Sequence, residues 1–291
     1  MKVGSSAMSG VMVALAIALP AGAQRAPAPA ANAGAPPGYT LVWADEFNED
    51  GWPDPRNWTY ERGLVRNQEQ QWYQADNATV QNGLLVIEAR REAHPNPQFE
   101  AGSIDWRRNR RVAEYTSASV TSRGLRTFQY GRFEMRARID IRPGMWPAFW
   151  TLGDAGRWPA NGEIDIMEFY QGNLLANVAW ADSAGKPVWD DTRTPVAGLG
   201  GAEWASRFHV WRMDWDENEV RLLVDDTLLN STDVRAAANG GGGARNPLRQ
   251  PHYLILNLAI GGANGGDPSS TRFPARFEVD YVRVYRKSAD K

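Results

Sequence analysis

Three carboxylates lie close together in the segment NGEIDIMEFY, residues 161–170. If this segment is a β-strand, Glu163 and Asp165 point to the same face, because strand side chains alternate with a period of two. Glu168 is one residue out of step and would point to the opposite face of a regular strand. One extra residue before Glu168 would form a β-bulge and return it to the face of the other two acids. The spacing therefore favours three acids on one face of a bulged strand.

Carboxyl groups arranged in this way could cleave a glycosidic bond. In a retaining glycosidase one carboxylate attacks the anomeric carbon and a second acid protonates the leaving oxygen, with the two carboxyl groups about 5–5.5 Å apart. The intervening Asp165 could share a proton with the nucleophile, and mutual repulsion would keep one glutamate protonated near neutral pH. Two other interpretations fit the same residues: a calcium site, because hard cations bind carboxylate oxygens, or a solvated strand face.

The rest of the chain contains many strand patterns. Apolar and charged side chains alternate in residues 130–141, which predicts a long strand with one buried and one solvated face. Further short strand-like runs lie at residues 84–90, 117–123, 208–215, 220–226, 253–260 and 277–285. Turn-rich segments separate these runs. This organisation predicts an all-β protein, built as an antiparallel sandwich or barrel.

Composition excludes several classes of function. The chain has 291 residues, of which 43 % are hydrophobic, enough for one substantial core. A net charge of −2 gives no basic surface for nucleic acid, so we expect no nucleic-acid partner. The absence of cysteine excludes disulfides and thiolate catalysis. The 13 tryptophans are unusually many and suit either a large core or a groove that stacks flat apolar faces.

The N terminus has the pattern of an export signal. Residues 1–23 combine Lys2, a short apolar run and the small residues AGA before Gln24, which predicts a cleaved signal peptide. The apolar run is too short to span a membrane, and an ordinary buried helix is the alternative. Residues 24–38 are predicted to be a disordered linker rich in alanine and proline, and residues 39–287 a single folded domain. We therefore expect a secreted or periplasmic monomer without a membrane span.

The acidic segment also carries a family resemblance. Residues 163–168, EIDIME, resemble the active-site signature of glycoside hydrolase family 16 in its bulged form, which is typical of laminarinase-like and agarase-like members; bacterial lichenases have a shorter, bulge-free form. Other segments resemble the family in the same order: 41–47, 67–73, 129–139, 144–153, 157–170 and 277–285. The resemblance covers essentially the whole domain. It implies a β-jelly-roll sandwich with a concave face crossed by an open cleft, and endo-acting, retaining hydrolysis of β-linked polysaccharides.

The resemblance implies a role for each acid. By position, Glu163 is the nucleophile, Asp165 its assistant and Glu168 the general acid/base, and catalysis needs no cofactor. The expected substrate-binding residues are Asn67, Trp146, Trp158, Asn177 and Trp180. Trp150, inside the run AFW, is expected in the core.

Family members often bind a structural calcium ion away from the cleft. The matching positions here are Glu46, the backbone of Gly83, and Asp280. An ordinary pair of acids at the edge of a sheet is the alternative interpretation of these residues.

One segment departs from the family pattern. Many laminarinase-like members have a histidine in the strand after the catalytic one, whereas residues 174–189 contain none. A subsite is therefore expected to be built differently, from Asn177 or Trp180. We expect a β-1,3-type glucan as the substrate, with a β-linked galactan such as agarose or porphyran as the alternative.

Two further hypotheses depend on other features of the sequence. Sulfated galactans would need cationic groups in the cleft, and the run IDWRRNRR could supply them if its loop reached the groove: Arg107, Arg108, Arg110 and Arg111. A non-catalytic carbohydrate-binding sandwich would keep the tryptophans, but it would not need both Glu163 and Glu168.

Overall fold

The computed structural model describes Met1, residues 35–240 and residues 245–288, and nearly half of the chain is in strands. The predicted signal peptide, residues 1–23, lies outside the described residues apart from Met1, as does most of the predicted linker, residues 24–38. Within the described ranges, no helix is both long enough and apolar enough to cross a membrane.

The regular elements are short and almost all extended. The strands are β1 (Tyr39–Asp45), β2 (Thr59–Tyr60), β3 (Gln71–Tyr73), β4 (Ala78–Gln81), β5 (Leu84–Ala89), β6 (His94–Pro95), β7 (Val112–Ala113), β8 (Tyr115–Ser117), β9 (Ser119–Thr121), β10 (Gly131–Arg138), β11 (Met145–Gly153), β12 (Glu163–Tyr170), β13 (Asn173–Ala181), β14 (Pro187–Asp190), β15 (Arg193–Pro195), β16 (His209–Trp215), β17 (Glu219–Val224), β18 (Thr227–Asp233), β19 (His252–Ile260) and β20 (Ala275–Lys287). The helices are α1 (Gly201–Ala205) and α2 (Gly262–Gly265), with 3₁₀ turns at Ala75–Asn77, Val196–Leu199 and Pro247–Arg249.

Two eight-stranded antiparallel sheets form the body of the protein. The outer sheet has the order β18-β17-β16-β10-β20-β5-β4, with β1 also paired to β20. The cleft sheet has the order β14-β13-β12-β11-β19-β9-β2, with β15 also paired to β13. The apolar faces of the two sheets pack against each other in one core, which confirms the predicted antiparallel sandwich.

Strand β10 illustrates how the sequence pattern produces these layers. Phe133 and Met135 are fully buried in the core. The alternate arginines point outward, where Arg132 pairs with Asp214 of the neighbouring strand β16. The prediction of a long strand with one buried face in this segment is confirmed.

The predicted β-bulge lies in strand β12. Asp165 pairs with Asn177 on β13, and Glu168 pairs with Leu175, so β12 has one residue more than β13 between these two pairs. The two β12 residues in this interval are both fully buried in the core. The bulge therefore absorbs the one-residue slip and leaves both acids on the face away from the core.

Candidate active site

A cavity of about 630 Å³ lies over the middle of the cleft sheet. Glu163, Asp165 and Glu168 all line it, as the bulge in β12 requires. Strand β11 contributes to its floor. The loop at residues 66–69 and the segment 189–193, from the end of β14 to the start of β15, contribute its sides. The three acids of the sequence motif thus share one cavity.

Each glutamate receives a hydrogen bond from a tryptophan. The indole Nε1 of Trp158 donates to Glu163. The indole Nε1 of Trp146 donates to Oε1 of Glu168 over 2.6 Å, and Asn177 Nδ2 lies 3.4 Å from the other carboxyl oxygen. These donors fix the orientation of both carboxyl groups toward the cavity.

Burial raises the pKa of Glu168 to about 7. The negative charges of Glu163 and Glu69 raise this pKa further, whereas the hydrogen bond from Trp146 opposes them because it favours the charged form. At neutral pH a substantial fraction of Glu168 therefore carries a proton, as a general acid requires.

The other two acids are hydrogen-bonded to each other. Burial raises the pKa of Asp165 well above its usual range, and the charges of Glu163 and Glu168 add to that effect. Burial also raises the pKa of Glu163, but hydrogen bonds from Trp158 and Asp165 favour its charged form. The arrangement is a neutral Asp165 that donates a hydrogen bond to an ionised Glu163.

Four of the five predicted substrate-binding residues line the cavity: Asn67, Trp146, Trp158 and Asn177. Trp180 does not. It lies three positions after Asn177 on the regular strand β13, so it points to the opposite face, where it packs against the core. The expectation that Trp180 lines the groove is thereby corrected.

Trp150 is also placed differently from the expectation. It belongs to a small apolar cluster on the cavity side of the cleft sheet, together with Ala148, Tyr253 and Ile255. Its Nε1 donates to Asn257, and its ring lies 5.0 Å from the guanidinium carbon of Arg66. Trp150 is therefore part of the cavity floor rather than of the main core.

Glu69 is a further carboxylate in the cavity that was not predicted from the sequence. Its side chain is 2 % exposed and accepts a hydrogen bond from Gln71 over 2.7 Å. Glu69 follows a turn in which Asn67 and Gln68 have positive φ, so strand alternation gives no sequence signal for it. Arg66 and Asp191 are further lining residues that were not predicted, and Trp189 also lines the cavity.

The arginine run at residues 107–111 does not line the cavity. Arg108 instead pairs with Glu100 over 2.7 Å, and Arg110 binds backbone carbonyl groups. The run therefore does not supply the cationic groups in the cleft that binding of a sulfated galactan through it would need.

The residues considered for calcium do not fit an ion well. Glu46 accepts hydrogen bonds on both carboxyl oxygens from Arg283, over 2.7 and 2.8 Å. Asp280 pairs with Arg136 over 2.5 Å. No group of three or more acidic, histidine or cysteine side chains suited to a metal occurs in the described ranges. An arginine on each carboxylate supplies the positive charge that a calcium ion would otherwise provide.

Comparison with known proteins agrees with this geometry. The family model for glycosyl hydrolases family 16 matches residues 66–283, inside the predicted domain. The chain is 38 % identical over 271 residues to a beta-glucanase of Rhodothermus marinus, covering 86 % of both chains. It resembles the laminarinase catalytic domain from Thermotoga maritima at 33 % identity and a TM-score of 0.70, covering 86 % of this chain and 99 % of that one.

A second similar structure comes from work on the endo-acting O-glycanases with which human gut bacteria initiate mucin breakdown. The identity is 34 % and the TM-score 0.79, with 87 % of this chain and 93 % of that chain covered. The expected jelly-roll fold is confirmed by these structural neighbours. The chain belongs to glycoside hydrolase family 16.

Proposed function

We propose that this glycoside hydrolase is a retaining endo-β-1,3-glucanase in which Glu163 is the nucleophile and Glu168 the general acid/base. The observation that carries the proposal is the bulge in β12, which turns both glutamates into one cavity while their hydrogen bonds differ. Glu163 receives a second donor, Asp165, which favours its ionised form. The pKa of Glu168 is raised to about 7, so this residue keeps the proton that the leaving group needs near neutral pH.

The reaction follows from these protonation states. The Glu163 carboxylate attacks the anomeric carbon while Glu168 transfers its proton to the glycosidic oxygen, which leaves with the bonding electron pair. Glu168, now ionised, then removes a proton from water as the water oxygen attacks the anomeric carbon, and the bond from that carbon to Glu163 breaks and releases the carboxylate. Asp165 keeps its hydrogen bond to Glu163 and orients the attacking oxygen. Family 16 hydrolases need no catalytic cofactor for these steps.

The relatives and the cavity both support a glucan substrate. The names of the similar proteins include a beta-glucanase and a laminarinase. Trp158 and Trp189 are 48 % and 41 % exposed, with ring centroids 6.4 Å apart at the mouth of the cavity. Exposed aromatic faces of this kind stack on the apolar faces of sugar rings. The arginine run lies outside the cavity and therefore does not support the sulfated-galactan alternative.

The remaining expectations are also proposals. We infer export to the periplasm or the medium from the pattern of residues 1–23, and mass spectrometry of the mature N terminus tests it. We also propose that the protein is a monomer. We further propose that it holds no calcium ion at Glu46, Gly83 and Asp280, because Arg283 and Arg136 already form ion pairs with the two carboxylates.

Azide rescue of two variants tests the roles of the glutamates. Glu163→Ala and Glu168→Ala should both lose reducing-end release from laminarin, whereas Glu203→Ala, which removes an exposed acid in α1, should not. With an activated aryl glycoside and azide, Glu163→Ala should form the α-glycosyl azide and Glu168→Ala the β-glycosyl azide. The same anomer from both variants would refute the assignment. Preferential cleavage of agarose over laminarin by the wild type would refute the substrate.

A further inference from the structure

One side of the active-site cavity is a single stretch of backbone, residues 66–70, here called the wall loop. Asn67 and Glu69 face the active-site cavity. Gln68 and Gln70 face a second depression of about 570 Å³ on the other side, which is also lined by Arg110. The wall loop therefore separates the sugar-binding space from a second cavity, and its backbone position decides where Asn67 and Glu69 point.

The backbone of the wall loop is held in an unfavourable conformation. Asn67 has φ of 54° and Gln68 has φ of 53°. Both values lie in the left-handed region, which residues other than glycine rarely adopt. Two consecutive residues in this region persist only where surrounding contacts determine the conformation.

Those contacts come from outside the loop and bind its carbonyl groups. Arg110 donates from Nη2 to the carbonyl oxygen of Gln68 over 2.9 Å and from Nη1 to that of Glu69 over 3.0 Å. The amide of Ala263 donates to the carbonyl oxygen of Asn67 over 2.8 Å. Three consecutive carbonyl groups are thus fixed, two of them by one guanidinium.

Arg110 differs from its neighbours in the arginine run. Arg107 and Arg108 each pair with a carboxylate, whereas no carboxylate pairs with Arg110 in the part of the chain that the structure describes. Arg108 forms an ion pair with Glu100 in which both side chains are at least half exposed. Of these two arginines, only Arg110 contacts the wall loop.

We propose that Arg110 is a positioning residue that holds the wall loop in place so that Asn67 and Glu69 meet the substrate. This inference deepens the proposed function and rests on it for the identity of the cavity. The planar fork of a guanidinium matches two adjacent acceptors, whereas the single ammonium group of lysine does not reproduce that geometry. Arg110 acts only through the loop, because it does not itself line the active-site cavity.

Steady-state kinetics with matched variants tests the proposal. For Arg110→Ala we expect KM for laminarin to rise about tenfold while kcat changes by less than about threefold, because a displaced loop weakens binding without altering Glu163 or Glu168. Arg110→Lys should lie between Arg110→Ala and the wild type. Arg108→Ala, from the same loop, should match the wild type. Equal KM values for Arg110→Ala and Arg108→Ala would overturn the proposal.

A measurement without substrate separates this inference from the proposed function. Amide hydrogen exchange in a peptide spanning residues 65–70 should be faster in Arg110→Ala than in Arg108→Ala, at unchanged melting temperature. If the wild type fails to cleave laminarin, the proposed substrate is wrong, but this exchange difference still tests the positioning. Identical exchange in the two variants, or faster exchange throughout the protein, would contradict a local role of Arg110.

Discussion

The indole Nε1 of Trp146 donates a hydrogen bond to Oε1 of Glu168 over 2.6 Å, and the indole Nε1 of Trp158 donates an equivalent hydrogen bond to Glu163. The two glutamates nevertheless differ. A hydrogen bond from Asp165 lowers the pKa of Glu163, whereas the second donor of Glu168, Asn177, lies 3.4 Å away and the negative charge of Glu163 raises the pKa of Glu168. A donor to the carboxylate favours the charged form. The environment therefore makes Glu163 the acid that ionises and Glu168 the acid that keeps its proton to higher pH.

This asymmetry predicts the pH dependence of kcat/KM. The alkaline limb should lie near pH 7, where Glu168 loses its proton, and the acidic limb should report protonation of Glu163. Trp146→Phe removes a hydrogen bond that lowers the pKa of Glu168, so the alkaline limb should move to higher pH. Initial rates on laminarin across the pH range measure both limbs. An alkaline limb that stays in place or moves down would contradict the role of Trp146.

The same group should make stability depend on pH. The pKa of Glu168 rises from 4.5 to about 7 on folding, so its contribution to stability is complete below pH 4.5 and is lost as the pH rises to about 7. Glu168→Gln removes this titration. Its melting temperature relative to the wild type should therefore increase between about pH 4 and pH 8. Glu203→Gln, at an exposed acid, is the control, and an equal pH trend in both variants would refute the prediction.

Asp165 should act as a hydrogen-bond donor rather than as a charge. Its raised pKa keeps it neutral, and asparagine retains a donor at the same place. We expect Asp165→Asn to keep at least about tenfold more kcat than Asp165→Ala, because one well-placed hydrogen bond to a charged group contributes about 1.5–3 kcal/mol. The measurement is kcat for both variants at one pH below 7. Equal losses would mean that the Asp165 carboxyl group itself, with its proton, is required.

Much of the site could be predicted from the sequence because strand geometry is strict. Period-two alternation, with one bulge, places Glu163, Asp165 and Glu168 on one face, and the structure confirms that bulge. The same rule, applied consistently, would have excluded Trp180, which lies an odd number of positions after Asn177 on a regular strand. Trp180 was assigned to the groove because it is an aromatic residue, although its position in the strand directs it to the opposite face.

Other features depend on contacts between distant segments, which no local pattern encodes. The hydrogen bonds of Arg110 to the carbonyl groups of the wall loop join residues about forty positions apart, and they use backbone atoms that have no sequence signature. Glu46 pairs with Arg283 from the other end of the domain. The partners of the arginine run and of Glu46 therefore could not be predicted before the fold was known.

Removal of divalent cations should not destabilise the protein. Arg283 and Arg136 already pair with the two acids considered as calcium ligands, Glu46 and Asp280. We expect the melting temperatures in EDTA and in millimolar calcium to agree within about 1 °C, since binding to the folded state alone would otherwise raise the melting temperature by mass action. A calcium-dependent increase that disappears in Asp280→Asn would show that an ion displaces Arg136.

The final prediction concerns the bulge itself. Deletion of Met167 would leave the order Glu163-Ile-Asp-Ile-Glu, in which regular alternation alone directs the second glutamate to the cavity. The variant should fold and retain activity above that of Glu168→Ala, but loss of the fully buried methionine should cost roughly 2–5 kcal/mol of unfolding free energy. Urea denaturation and reducing-end release measure these effects. A folded but inactive deletion variant would mean that the bulge sets the position of the acid, and not only the face on which it lies.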